Sequence, residues 1–440
     1  MSQPNVILLT CHDLGDYLPM YGTPVPTPNL QRMADRGVVF HRHFSTATVC
    51  SPARASIMTG CYPHTHRCLS VVHRGWALDT DRCPTLPAIL GRAGYESHLF
   101  GTQHEHYDWR RLGYDENHQA PTQYVDDVVP MLCDWLRARP EGAGPFFASV
   151  GYGETHRWGL KPSHFKRDVY DPADPADVHV RPYLPDIPEV REDLADFYGA
   201  VKLVDAMVGR LLETLDETGL AERTLLIFTS DHGASFTHSK ATLYDGGTKV
   251  ALLMHWPGRL PESRTVEALT SHADLVPTLA GWLDLDAPTG VEGRSFAALA
   301  EGTGGSPRDF VVAERDYTNY YCPARMIRSA HVKYIRNGLR TCAFDFQIPE
   351  IELSGWGWRE NEHTRRFYSA RRCLEELYDL RADPAEMNNL ADDNAYAGTL
   401  ETMRAALDRH LEATDDPFRH LKHTILMDEH VFEEVIRGRP

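Results

Sequence analysis

The chain has 440 residues, 42% of them hydrophobic and 24% charged, the balance of a globular protein with a large core. Its formal net charge of -17 argues against nucleic acid or an anionic membrane as partner, because both need a basic face. No apolar run nears the roughly 20 residues that span a bilayer.

Met1 to Pro4 lead directly into Asn5-Val6-Ile7-Leu8-Leu9-Thr10, an apolar run that reads as a buried strand. No basic and apolar leader precedes it, and the nine cysteines are scattered without Cys-x-x-Cys spacing, so a reduced, cytoplasmic protein is expected. Pro28 to Gly37 predicts a helix, opened by Thr-Pro and closed by Gly. Thr85 to Gly94 predicts a second, followed by a strand over Tyr95 to Phe100, and Pro145 to Gly151 predicts another strand. The clearest helix is Leu194 to Thr218, where Phe197, Val201, Val204, Val208, Leu211 and Leu215 recur at spacings of three and four. Thr224 to Thr229 is then a fully buried strand. Strands alternating with helices predict an α/β fold, a large, mostly parallel sheet sandwiched by helices.

Between Arg157 and Glu192 the chain is rich in Pro, Asp and aromatics and lacks periodicity, the composition of a functional loop or lid. The Gly/Ser-rich segment Glu301 to Pro307 marks the expected boundary between a catalytic domain, 1–305, and a smaller C-terminal α+β domain, 306–440. In the latter, Met326 to Asn337 and the region around Leu377 predict strands, and Ala395 to Glu412 a helix.

The most specific string is Cys50-Ser51-Pro52-Ala53-Arg54-Ala55-Ser56-Ile57-Met58-Thr59-Gly60. It resembles the sulfatase signature, a Cys-x-Pro-x-Arg core with Thr-Gly a few residues on, and so implies the alkaline phosphatase-like fold of that family. The resemblance implies that a separate formylglycine-generating enzyme oxidises Cys50 to formylglycine, whose aldehyde hydrates to a geminal diol. One hydroxyl then attacks sulfur, and the other loses its proton as sulfate departs, so that one hard displacement becomes two easier steps. A diol oxygen needs a nearby metal to act as a nucleophile. Arg54, one helical turn beyond Cys50, can face the same site.

Hard ligands are expected at the carboxyl ends of parallel strands, where α/β sheets place their sites. His12 and Asp13 follow the first strand, and Asp231 and His232 follow the strand ending at Thr229. Both pairs match metal-ligand positions of the family, which with Cys50 implies one divalent cation. Sulfatases usually carry Asp-Asp after the first strand; His12 replaces the first of these. The family implies Ca²⁺, whereas imidazole suits Mn²⁺ or Zn²⁺; His12 as an outer-shell group is the alternative.

Further segments follow the same resemblance. Lys240-Ala241-Thr242-Leu243-Tyr244-Asp245-Gly246-Gly247 is similar to the family's Lys-x-x-x-Tyr-Glu-Gly-Gly, which implies that Lys240 contacts the sulfate. Gly101-Thr102-Gln103-His104-Glu105 aligns with Gly-Lys-x-His, placing His104 on the diol and leaving Thr102 where a Lys is usual. In Gly153-Glu154-Thr155-His156-Arg157, His156 is the candidate general acid. Arg157 and His238 are candidate substrate contacts. His272-Ala273-Asp274 and the C-terminal Glu376-Leu377-Tyr378-Asp379-Leu380 also resemble family segments, and are read as structural. The stretch from Tyr170 to Tyr198 leans toward heparan N-sulfatases (sulfamidases). The expected function is hydrolysis of a sulfate ester or sulfamate, with a small-molecule or saccharide sulfate as substrate. The alternatives are a phosphonate monoester or phosphodiester hydrolase of the same superfamily, and a binding protein that has lost catalysis.

Overall fold

The computed structural model describes residues 3–159, 163–286, 288–318, 321–339 and 373–420. Its centre is an eight-stranded sheet in the order Arg264–Val266, Val38–Phe40, Leu252–His255, Thr224–Ser230, Asn5–Cys11, Phe146–Gly151, Glu96–Gly101, Glu116–His118. All neighbours pair in parallel except Leu252–His255, which runs against both of its partners.

The middle strand, Asn5–Cys11, is buried along its whole length. Its side chains alternate between faces, as the two-residue period of a strand requires. Ile7, Leu9 and Cys11 join one apolar cluster, with the helices Pro28–Asp35, Val125–Ala138 and Pro188–Glu217. Val6 and Leu8 join the other, with the helices Cys50–Thr59, Leu86–Arg92 and Leu275–Trp282. A sheet covered on both faces explains why its strands read as continuous apolar runs. Each fully buried side chain here is worth about 1.5–3 kcal/mol of transfer free energy.

The expected strands and helices are present, with shifted ends. The long helix starts at Pro188, six residues ahead of the predicted Leu194. The apolar periodicity begins only where the helix meets the core, whereas Pro188 at its first turn is a good starting residue. The helix Val125–Ala138 was not anticipated, because Pro130 lies inside it. Val125, Val128, Val129, Leu132, Cys133 and Leu136 nevertheless form a buried stripe, and their burial outweighs the hydrogen bond that Pro130 cannot donate.

After the Gly/Ser-rich segment the chain forms a four-stranded antiparallel sheet, Val311–Tyr317, Tyr321–Arg328, Val332–Asn337 and Glu375–Asp379, packed by the helix Ala397–Ala413. Residues 340–372 and 421–440 of this region lie outside the described residues. The sheet is tied to the larger unit by ion pairs: Asp245 faces Arg328 and Lys333, and Arg308 faces Asp274. Among the described residues no helix is long and apolar enough to cross a membrane.

Candidate active site

Four parallel strands end side by side, and the segments that follow them carry most of the expected site. His12 and Asp13 follow Cys11, His104 follows Gly101, His156 follows Gly151, and Asp231 and His232 follow Ser230. Cys50 enters from the side, as the first residue of the helix Cys50–Thr59. Backbone hydrogen bonds stitch these segments together: His12 N–H donates to Glu154 O at 2.8 Å, and Asp231 N–H to Cys11 O at 3.1 Å. Gly233 is required directly behind His232, since a Cβ there would lie 1.9 Å from Gly246 O.

His12, Asp13, Cys50, Asp231 and His232 are all buried, and one donor atom from each lies within 4.8 Å of the others. Asp231 Oδ1 accepts from the Asp13 and His232 amides at 3.0 and 2.8 Å, and Oδ2 from Arg54 Nε at 3.0 Å. Asp13 Oδ1 lies 2.8 Å from His12 Nδ1, and Oδ2 accepts from Lys240 Nζ at 2.6 Å. Cys50 Sγ lies 3.3 Å from His232 Nε2 and 3.8 Å from His12 Nδ1. His12 therefore faces the cluster directly, with Nδ1 turned to Asp13 and Cys50.

The electrostatics follow from this crowding. Burial opposes the thiolate of Cys50, but His12, Lys240 and His232, with a hydrogen bond from His104, hold it well below the usual thiol range. Cys50 also sits at the positive end of its helix, which favours an anion. Burial likewise opposes a charge on His12, yet Cys50, Asp231 and Asp13 lift it to about 10. His156 is pushed down to about 4, by burial first and by Lys240 second. Two carboxylates and two imidazoles are thus buried side by side next to Cys50. That donor set fits one divalent cation, with His12, Asp13, Asp231 and His232 as its holders beside Cys50.

Cys50 and His12 of the cluster line a cavity of about 370 Å³, together with His104, His156, Lys240 and, at its wall, Arg74. Lys240 Nζ bridges Asp13 to His156 Nε2, which it meets at 3.3 Å. The edges of the His104 and His156 rings stand 5.1 and 4.8 Å from His12, centre to centre.

Two expected substrate contacts lie elsewhere. Arg157 is 2% exposed and turned inward. Its guanidinium grips Asp193 at 2.9 and 2.5 Å, donates to Ser235 O at 2.8 Å and lies 4.0 Å over the Phe165 ring. His238 is buried, stacks on Tyr244 with ring centres 3.9 Å apart, and bonds Ala385 O at 2.8 Å. Neither lines the cavity. Arg157 turns away from its neighbour His156 toward Asp193, and the loop turns at His238 in a left-handed conformation, φ 60°.

Thr102 opens into a separate hollow beside Gly101, so no cation enters the cavity from that position. Gln103 and Glu105 do not replace the charge. Gln103 Oε1 accepts from the Glu105 and His106 amides at 2.8 and 3.0 Å, and the buried Glu105 carboxylate accepts from His104 N–H at 2.7 Å. Both residues shape the turn that presents His104. Arg74, which the sequence reading missed, brings positive charge instead. Its loop, Ser70 to Gly75, follows no strand and matches no motif, leaving no sequence signal beyond its basic residue. Asp274 closes a capping box with Ser271 and pairs with Arg308.

A fold of this class with a nucleophile, two histidines and a lysine around buried carboxylates defines a hydrolase of acidic esters. The sulfatase family model matches residues 4–285, and the chain belongs to the sulfatase family. It is a sulfuric ester hydrolase. It is similar to an ulvan-active sulfatase of Formosa agariphila, 26% identical over 94% of this chain and 76% of that protein. It is also similar to the N-sulphoglucosamine sulphohydrolase of Homo sapiens, 27% identical over 94% of this chain and 91% of that protein. The phosphonate monoester hydrolase of Agrobacterium radiobacter shares the fold, with a TM-score of 0.73 and 22% identity over 93% of this chain and 96% of that one.

Proposed function

We propose that the chain hydrolyses a sulfate ester or sulfamate on a sulfated sugar, with Cys50 matured to formylglycine by a separate enzyme. The observation that carries this reading is the convergence of Cys50 with His12, Asp13, Asp231 and His232 on one buried point. The two relatives named above are, by name, a sulfatase active on ulvan and a sulphohydrolase of N-sulphoglucosamine, and the second name is that of a sulfated sugar.

A divalent cation held by His12, Asp13, Asp231 and His232 would draw charge from a sulfate oxygen and help ionise the attacking hydroxyl. Ca²⁺ is the family expectation; His12 and His232 shift the preference toward Mn²⁺ or Zn²⁺. The chain's own groups do the rest. Arg54, fixed by Asp231, keeps positive charge beneath residue 50. His104 donates to the atom at position 50 and orients it. Lys240 reaches both Asp13 and His156, and so neutralises the incoming sulfate.

His156 Nδ1 lies 2.6 Å from Arg157 O, which places its proton on Nδ1 and leaves Nε2 as an acceptor. The proton for the leaving oxygen or nitrogen therefore comes from the Lys240–His156 pair and not from His156 alone. Arg74, at the cavity wall, suits an anionic sugar ring.

A second reading, phosphonate monoester hydrolysis, rests on Thr102, which leaves the cavity without a cation at that position; sulfate and phosphonate monoesters are both monoanions, so activity separates them. Matured enzyme should be assayed side by side on an aryl sulfate, an N-sulfated glucosamine and an aryl phosphonate monoester. The sulfate or sulfamate should lead in kcat/KM by at least about tenfold, about 1.4 kcal/mol of transition-state discrimination. A lead for the phosphonate would replace the first reading with the second.

A further inference from the structure

A second group of metal-type side chains lies at the far edge of the main sheet, where the strand Glu116–His118 pairs in parallel with Glu96–Gly101. The register sets His98 against Glu116 and Phe100 against His118. Because residues two apart share a face, His98, Glu116 and His118 project to the same side. His98 Nδ1 and His118 Nε2 stand 3.1 Å apart, and Glu116 Oε2 is 3.6 Å from each of them.

Hydrogen bonding explains this triangle poorly. One proton can join the two facing nitrogens, but the carboxylate oxygen is too distant to bond either. A cation satisfies all three. A triangle with edges of 3.1, 3.6 and 3.6 Å has its centre about 2.0 Å from every corner, the bond length of Zn²⁺ to imidazole nitrogen and carboxylate oxygen. Two imidazoles and one carboxylate are also a ligand set that leaves a fourth position for water.

The surroundings hold the ligands in place. The His118 ring stacks on Phe100, centres 4.2 Å apart and 5° from parallel, and the His98 ring packs 4.6 Å from Trp135. His98 Nε2 lies 3.8 Å from Glu96, whose carboxylate is bonded by Arg139, so it is Nδ1 of His98 that turns to the triangle. Glu116 is exposed, so an ion can enter from solvent.

We propose that His98, Glu116 and His118 form a second metal site, separate from the Cys50 cluster, that takes one divalent cation of the zinc class. The ion cross-links the short edge strand to the strand whose end launches the loop to His104. It stabilises that edge without entering the chemistry.

The test titrates Co²⁺ and Zn²⁺ into the full chain and into its Glu116→Gln, Glu116→His and His118→Gln variants. The wild-type chain should take up one equivalent beyond the Cys50 cluster, with the visible absorption of a four-coordinate Co²⁺ ion. Glu116→Gln and His118→Gln should weaken that equivalent by more than about 100-fold, beyond what loss of an outer-shell partner brings. Glu116→His should keep it. Sulfatase activity and the thermal midpoint of the metal-free chain should be unchanged in Glu116→Gln. An Asp231→Asn background should retain the edge equivalent alone; if that variant fails to fold, the wild-type comparison decides. Equal Co²⁺ stoichiometry and spectrum in wild type, Glu116→Gln and His118→Gln would overturn the proposal, as would the lack of a second equivalent in wild type.

Discussion

Replacing Arg157 by Met separates a structural from a substrate-binding role for this residue. Arg157 and Asp193 meet in a two-pronged pair shielded from water by Phe165 and Phe236, which lie 4.0 and 5.2 Å from the guanidinium carbon. Breaking a buried pair from one side costs about 3–5 kcal/mol, since the remaining charge stays buried. The Ser235 carbonyl loses a donor as well, and the two ring contacts are worth about 1 kcal/mol each. Against a total stability of about 5–15 kcal/mol, Arg157→Met should be marginal near body temperature. Urea denaturation should show an early midpoint, and Arg157→Met/Asp193→Leu should recover much of the loss, because no charge is stranded. At low temperature the folded Arg157→Met fraction should keep the wild-type KM. A raised KM with an unmoved denaturation midpoint would refute this reasoning and return Arg157 to the substrate.

Three further outcomes are expected. Lys240→Ala should lower kcat by about 10²–10⁴-fold, the range for a lost proton-transfer group; its acid limb should also move to higher pH, since Lys240 helps hold His156 down to about 4. His64, 2.6 Å from Glu314, is lifted from 6.5 to about 9 because Glu314 and then Asp416 outweigh its burial. Its folded value lies above the unfolded one, so its stabilisation is complete below about 6.5 and fades as pH rises through about 9, on the order of 3 kcal/mol in all. Stability curves at several pH values should show that slope, and His64→Gln should flatten it. His12→Asp should turn the ion preference of the stripped and reloaded enzyme toward Ca²⁺; an unchanged preference between Ca²⁺ and Zn²⁺ would remove His12 from the ligands.

The site residues legible in the sequence are those that follow buried parallel strands. There the apolar run marks where the chain leaves the sheet, and the next one or two residues are forced onto its carboxyl edge. His12, Asp13, Asp231 and His232 were found in this way, and the Cys50 string announced itself. Arg157 and His238 misled because nearness in sequence to a site residue says nothing about which way a side chain turns. Arg157 turns inward to Asp193, on a helix that starts far along the chain. Arg74 and the His98–Glu116–His118 triangle were invisible for the opposite reason. They depend on loop placement and on the pairing of two strands, neither of which leaves a local pattern. Pro130 hid a helix because its local cost is readable while the packing that overcomes it is not.

The most direct test pairs the mass of the tryptic peptide bearing residue 50 with specific sulfatase activity, across preparations made with varying amounts of converting enzyme. Activity should rise in proportion to the formylglycine fraction and vanish where residue 50 is wholly cysteine. Full turnover by an unconverted preparation, or by Cys50→Ala, would contradict the account at its root.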